Sequence, residues 1–129
     1  MNREAHYQLL LNEIVEKFNS MDVQRIMSCF TEDVQVRYND VTIQGAASLR
    51  EFLRPRYEDM RDYHLAKTLR TVSGNTVGIA ATARFVRRST GEHCVSRIHE
   101  FLDFDGDRIS HWDYVGHVTS NASSTASST

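Results

Sequence analysis

Apolar residues recur near helical spacing over residues 3–19: Ala5, Leu9, Leu10, Ile14, Val15 and Phe18, with Glu4, Glu13, Glu16 and Lys17 between them. This predicts an amphipathic helix. Asn19-Ser20-Met21-Asp22 breaks it, and Asp22 is placed to cap a second helix, Val23 to Phe30, with Val23, Ile26, Met27 and Phe30 on one face. Thr31-Glu32-Asp33 ends that helix. The period then changes to two, and Val34 to Asn39 reads as a strand. Gly45 precedes a third helix, Ala46 to about Met60, carrying Leu49, Phe52 and Leu53; Pro55 is expected to kink it or split off its last turns. From Tyr63 onward the pattern is β: Tyr63–Val72, Thr76–Arg88, Glu92–Phe104 and Arg108–Val118. Ser73-Gly74-Asn75, Ser89-Thr90-Gly91 and the hairpin signal Asp105-Gly106 join these strands. The tail from Ser120 is Ser, Thr, Ala and Asn and is expected to be disordered, so residues 1–118 form the domain and 119–129 the tail. Helices first and long strands after them mean an α+β fold, a curved antiparallel sheet with three N-terminal helices on one face.

Composition narrows the classes. The 129 residues are 40% hydrophobic and 25% charged, enough for one globular core. The net charge of −2 leaves no basic surplus for phosphate backbones, so no nucleic-acid partner is expected. The basic residues are 13 Arg and 2 Lys, which favours fixed carboxylate pairing over loose solvation. No apolar run approaches the roughly 18 residues of a membrane span. The start, MNREAHYQLLLNEIVEKF, has no signal-peptide apolar core, and a cytoplasmic protein is expected. Cys29 and Cys94 form no CxxC and read as reduced, buried thiols. Asn121-Ala122-Ser123 fits a glycosylation acceptor but has no secretory context.

The order of elements, with three groups of residues, resembles the nuclear transport factor 2-like superfamily, which includes ketosteroid isomerases, SnoaL-type polyketide cyclases, limonene epoxide hydrolases and scytalone dehydratases. Asn19-Ser20-Met21-Asp22-Val23 with Cys29-Phe30-Thr31-Glu32-Asp33-Val34 looks like its first helical corner. Ile43-Gln44-Gly45 with Leu49-Arg50-Glu51-Phe52-Leu53 looks like its third-helix entry. Asp105-Gly106-Asp107-Arg108-Ile109 with Trp112-Asp113-Tyr114 looks like its last hairpin. Phe52-Leu53-Arg54-Pro55-Arg56-Tyr57 and Asp62-Tyr63-His64-Leu65-Ala66-Lys67 are closer to one uncharacterised subfamily. The resemblance, over residues 5–118, implies a cone whose curved sheet wraps a mostly apolar pocket, and a homodimer through the outer sheet face.

Alternate strand residues line such a pocket. Tyr38 falls where ketosteroid isomerases carry a general-base Asp and scytalone dehydratases a pocket Tyr. Its hydroxyl can hold a water or a carbonyl. His64 lies near the start of a strand, where some dehydratases place a catalytic His, and an imidazole suits proton transfer at neutral pH. Glu100 shares a face with Ile98 and Leu102, in the register of the oxyanion-hole Asp of ketosteroid isomerases. Protonated, it can donate to an enolate; ionised, it can act as a base, and a salt bridge to Arg84 is the structural alternative. The acid of the last strand in SnoaL-type cyclases falls on Tyr114, with Asp113 one residue early. Trp112 and Tyr114 are therefore placed inward, Tyr114 as a catalytic residue that holds the carbonyl or a water with Tyr38, and Trp112 with Phe18, Arg84, Tyr57 and Leu102 as substrate-binding residues. In the opposite register His99, His111 and Asp113 would replace Glu100, Trp112 and Tyr114 together; a β-bulge is one way to bring Asp113 back. Phe18 and Asn19 replace the Tyr and Asp of the scytalone dehydratases.

Asp103-Phe104-Asp105-Gly106-Asp107 has the wrong Gly offset and no closing Glu for a calcium loop, and reads as a hairpin. The six histidines lack zinc-ligand spacing, and there is neither a phosphate loop nor GxSxG. No cofactor or metal is expected. The expectation is a small enzyme that moves a proton next to a carbonyl of an apolar, cyclic, oxygenated metabolite of polyketide, terpenoid or steroid type, by isomerisation, cyclisation or dehydration. The alternative is a non-catalytic ligand-binding or oligomerisation module of the same fold.

Overall fold

A computed structural model describes residues 2–120; the glycosylation-like triplet and the remainder of the expected tail lie outside them. Helix α1 runs Arg3–Asn19, and the Asn2 side chain caps it by accepting from the Ala5 backbone N–H at 2.8 Å. Its buried face is Tyr7, Leu10, Leu11, Ile14 and Phe18. Leu9, expected inward, is 52% exposed, because the stripe is centred one position round the helix. Asp22 caps α2, Val23–Met27, by accepting from Gln24 N and Arg25 N. That helix is shorter than expected. Phe30 opens strand β1, Phe30–Tyr38, so Thr31-Glu32-Asp33 is strand and not a break.

Asn39, at φ 53°, turns the chain into β2, Val41–Gln44, which the sequence pattern did not disclose. Helix α3 spans Ala46–Glu58 with Pro55 inside it and no split. Pro55 lies in the last turn, where the ring removes one backbone bond and little helix remains to break. Asp59 N still donates to the Pro55 carbonyl at 3.2 Å. Four long strands follow: β3 Met60–Ser73, β4 Thr76–Arg87, β5 His93–Asp105 and β6 Arg108–Ser120. The last runs two residues past Val118, into the segment expected to be tail. Asp105-Gly106 makes the expected hairpin, with Gly106 at φ 62°, a conformation that costs other residues.

The six strands form one curved, unclosed sheet in the order β2-β1-β6-β5-β4-β3. Neighbours pair antiparallel except β1 with β6, which are parallel, so the sheet is mixed rather than wholly antiparallel. The first strand is inserted beside the last, and a crossover through the whole intervening chain gives that one pair the same direction. The α+β cone expected from the sequence is otherwise the fold observed.

Helices α1 and α3 cover one sheet face, contacting β3 and β1. Ile26, Leu49, Leu53, Leu102 and Ile109 are among the most deeply buried side chains between these layers. Truncating one such Leu to Ala costs about 2–5 kcal/mol. Both cysteines are free and buried, and burial pushes the Cys29 thiol up from its usual range. No helix among the described residues is long and apolar enough to cross a membrane.

Candidate functional site

A cavity of about 310 Å³ lies between the helices and the inner sheet face. Strand β5 sets its floor by strict alternation. Cys94, Ser96, Ile98, Glu100, Leu102 and Phe104 are buried, while Arg97, His99 and Phe101 are exposed. Strand β6 reaches the same face through a register shift opposite Asp103/Phe104: Ile109 pairs with Phe104 and His111 with Asp103, so Ser110 is the extra residue. Ile109 and Trp112 thus both face inward although three residues apart. The bulge places Trp112 and Tyr114 on the cavity side and leaves Asp113 exposed. Of the two registers considered, the Glu100/Trp112/Tyr114 one is observed; His99, His111 and Asp113 point away from the cavity.

Glu100 is 3% exposed and is held by two neighbours. Trp112 donates Nε1–H to Oε1 at 2.9 Å, and Lys67 contacts Oε2 through Nζ. The Lys67 and Glu100 side chains are 5% and 1% exposed, a fully buried ion pair. Lys67 Nζ also stands 5.4 Å from the centre of the Phe18 ring. Such a pair carries a large desolvation cost and is a poor source of stability, so its place on a cavity wall points to use.

Three sequence expectations change here. His64 is exposed, opposite Arg84 on β4, and does not line the cavity. It alternates with Tyr63 and Leu65, which face inward, so a regular strand turns it out. Arg84 is exposed on the same outer face, and Lys67 takes the place assigned to it beside Glu100. Leu102 is 1% exposed but packs in the core beyond the cavity. Phe18, Tyr38, Tyr57, Trp112 and Tyr114 line the cavity as expected.

The residue that sequence reading missed is Lys67. Its signal was present: it interrupts the inward series Tyr63, Leu65, Leu69 with a charge, and it is one of only two lysines. Asn19, at the end of α1, fixes this strand by a two-way clamp. Its Nδ2 donates to the Leu65 carbonyl at 3.0 Å and its Oδ1 accepts from Leu65 N at 2.7 Å. Asn19 thus anchors β3 at Leu65, two places from Lys67.

Four tyrosines complete the wall. Tyr38 stacks on Tyr114 with ring centroids 3.9 Å apart, and Tyr57 meets Tyr63 edge-on at 5.8 Å. Burial raises the pKa of Tyr38, Tyr57 and Tyr63 well above the ordinary phenol range, with neighbouring tyrosines adding to the rise. These three phenols stay neutral and can donate to a ligand oxygen. Gly116 makes room for the last phenol: a Cβ there would lie 2.6 Å from Tyr114 Oη. Among the described residues no group of three or more His, Cys, Asp and Glu side chains could hold a metal ion.

A family model described as a SnoaL-like domain matches residues 11–112. The chain belongs to the SnoaL-like family. No curated protein matches it in sequence. Among solved structures, this SnoaL-like chain is similar to the epoxide hydrolase/cyclase-like enzyme SalBIII of pyran ring formation in the polyether salinomycin, with TM-score 0.79, 16% identity, and 93% of this chain and 99% of that one covered. It is also similar to a candidate isomerase from Bacillus subtilis, with TM-score 0.78, 14% identity and coverage of 91% and 90%. AclR, a candidate hydroxylase from Streptomyces galilaeus, gives TM-score 0.76, 17% identity and coverage of 88% and 79%. At these identities the likeness is one of fold.

Proposed function

We propose that this SnoaL-like protein is an enzyme that uses its own side chains to move a proton next to a carbonyl of an apolar, cyclic, oxygenated metabolite. Isomerisation, cyclisation and dehydration all share that step. One observation carries the reading: the buried Lys67–Glu100–Trp112 constellation on the wall of an otherwise aromatic cavity. The cavity volume, about 310 Å³, is of the size that takes a small ring system.

Glu100, ionised beside Lys67, is the base. It takes a proton from the carbon next to the carbonyl; the C–H bond breaks and an O–H bond forms on the carboxyl. The electron pair moves to the carbonyl oxygen as an enolate. Protonation neutralises Glu100 and frees the Lys67 ammonium to face that oxygen, so one buried ion pair is exchanged for another. Neutral phenols on the wall add donors. Return of the proton to a different carbon completes an isomerisation; its delivery to a β-hydroxyl, which leaves as water as the C–O bond breaks, completes a dehydration. A well-placed base contributes about 10²–10⁴-fold. A homodimer is part of the same proposal, supported by Phe101 and Val115, 55% and 63% exposed on the outer sheet face. Sedimentation of the wild type against Phe101→Glu tests it, with a fall to the monomer expected.

The test of the activity is deuterium uptake from D2O into a panel of cyclic ketones, read by NMR. Wild type is expected to exchange the protons next to the carbonyl, Glu100→Gln to lose at least about a hundredfold, and His64→Ala to keep full activity. Exchange no faster than buffer across the panel, or undiminished in Glu100→Gln, defeats the reading.

A further inference from the structure

The cavity has two chemically different ends. At the Glu100 end the ion pair is closed on itself. Strand β4 shows how far the other end lies. Lys67 is level with Ala81, Ser96 is level with Ala83, and Ala83, Phe85 and Arg87 lie on the cavity wall. Six residues of strand separate Ala81 from Arg87, about 20 Å of backbone. There the lining carries two guanidinium groups against one carboxylate, that of Asp59, and is net cationic. Arg87 comes from the end of β4, and Arg56 from the last turns of α3.

Neither guanidinium has an ion-pair partner among the described residues, a state they share with most of the arginines. Arg56 instead lies 4.3 Å from the ring centre of Phe52 and 5.2 Å from that of Tyr38, and Arg87 lies 5.5 Å from that of Phe85. Aromatic faces hold each head in place without using its hydrogen-bonding edge. The acids near them keep their charge but have their oxygens hydrogen-bonded to other groups. Asp59 accepts from Ser89 N at 2.8 Å and from Ser89 Oγ at 2.9 Å, and Glu92, which senses the Arg87 charge, accepts from Ser120 Oγ at 2.8 Å. Between the two ends, Ser96 is 4% exposed and its Oγ has no hydrogen-bond partner, a polar atom on the wall still to be satisfied.

We infer that the substrate is an anion. An apolar, oxygenated body lies against Glu100 and Lys67, and a carboxylate or comparable acidic group stays at the mouth between Arg56 and Arg87. This rests on the reading of the cavity as the substrate site and adds the charge of the molecule and its direction of entry. A guanidinium fork suits a carboxylate, and two of them at an aromatic rim attract it from solution.

The experiment compares a cyclohexanone that carries a carboxyalkyl chain, long enough to span the cavity, with its methyl ester, two probes that differ in charge and share the ring ketone. Binding is read from the fluorescence of Trp112, the single tryptophan of the chain. Wild type is expected to bind the acid about tenfold more tightly than the ester, the ratio for one charge-assisted contact. In Arg56→Gln/Arg87→Gln the acid falls to within about twofold of the ester, whose own affinity is unchanged. Raising the salt should likewise weaken only the acid. Equal affinities in wild type, a preference that survives the double substitution, or no saturable response to either probe overturns the inference. Deuterium exchange does not depend on these ratios. A protein that exchanges neutral ketones but shows no acid preference keeps the proposed activity and loses only the anionic substrate.

Discussion

Trp112 and Glu100 are diagonal neighbours on β6 and β5: Trp112 sits opposite Leu102, Glu100 sits opposite Tyr114, and the indole Nε1–H reaches back to Oε1 at 2.9 Å. The contact joins the one tryptophan of the chain to the one buried carboxylate of the cavity floor. Trp112→Phe keeps an aromatic wall but removes the donor together with part of the buried ring, leaving half of a buried carboxylate unsatisfied. Stability should fall by about 1–3 kcal/mol. Urea unfolding followed by circular dichroism measures it. An unchanged midpoint would mean that water replaces the indole.

Lys67 and Glu100 give different results singly and together. Lys67→Met strands a buried charge and should cost about 3–5 kcal/mol. Lys67→Met/Glu100→Leu removes both charges but leaves the Trp112 N–H without its acceptor, so it should regain part of that loss and end within about 1–3 kcal/mol of wild type, while deuterium exchange is abolished. A double variant less stable than the single would show that the pair serves the fold rather than the chemistry. The comparison requires chemical denaturation of all three proteins in one buffer.

Much of this was legible in the sequence, and the limits have physical causes. The alternation of β5 is unbroken, so the direction of Glu100 could be read directly. The direction of Trp112 could not be read from Ile109, because the bulge at Ser110 inserts one residue between them. A period-2 pattern fixes a face only while the ladder is regular. The parity of Tyr63 and Leu65 turns His64 outward, whatever the chemistry of its side chain. Lys67 has the inward parity, but a lysine is usually a solvated surface charge, so parity alone does not mark it as a site residue. Strand β2 is four residues long with three exposed, too short to show any period.

Gly116 controls the position of the Tyr114 phenol. A methyl group there would lie 2.6 Å from Oη and 2.7 Å from Cε1, so the ring must swing away and the stack on Tyr38 at 3.9 Å must open. Gly116→Ala should therefore lower near-ultraviolet tyrosine dichroism and weaken binding of cyclic ketones by about tenfold, with a stability loss of about 1–3 kcal/mol from overpacking. Tyr114→Phe/Gly116→Ala offers a second reading: with the hydroxyl gone the clash is smaller and part of the stability returns. A Gly116→Ala protein with wild-type dichroism and ketone affinity would remove Gly116 from the design of the site.

The tyrosine cluster sets the alkaline limit of the fold. Tyr38, Tyr57 and Tyr63 have folded pKa values raised by burial above the ordinary value of 10.0. Below pH 10 these phenols are neutral in both states and the contribution is fully present. Above it the unfolded chain loses phenolic protons that the native chain keeps, so the unfolded state binds fewer protons and stability falls as pH rises towards the folded values. Each group contributes a slope of up to about 1.4 kcal/mol per pH unit in that range. Urea midpoints should be flat from pH 8 to pH 9.5 as far as these groups are concerned, then drop steeply. Absorbance at about 295 nm should report the three phenols ionising together with unfolding rather than before it. Replacing Tyr57 by Phe removes one group and should make the decline shallower by about a third. Tyrosinate absorbance from these three residues at pH 10.5, with secondary structure intact, would show that water reaches them and that the cavity wall is not dry.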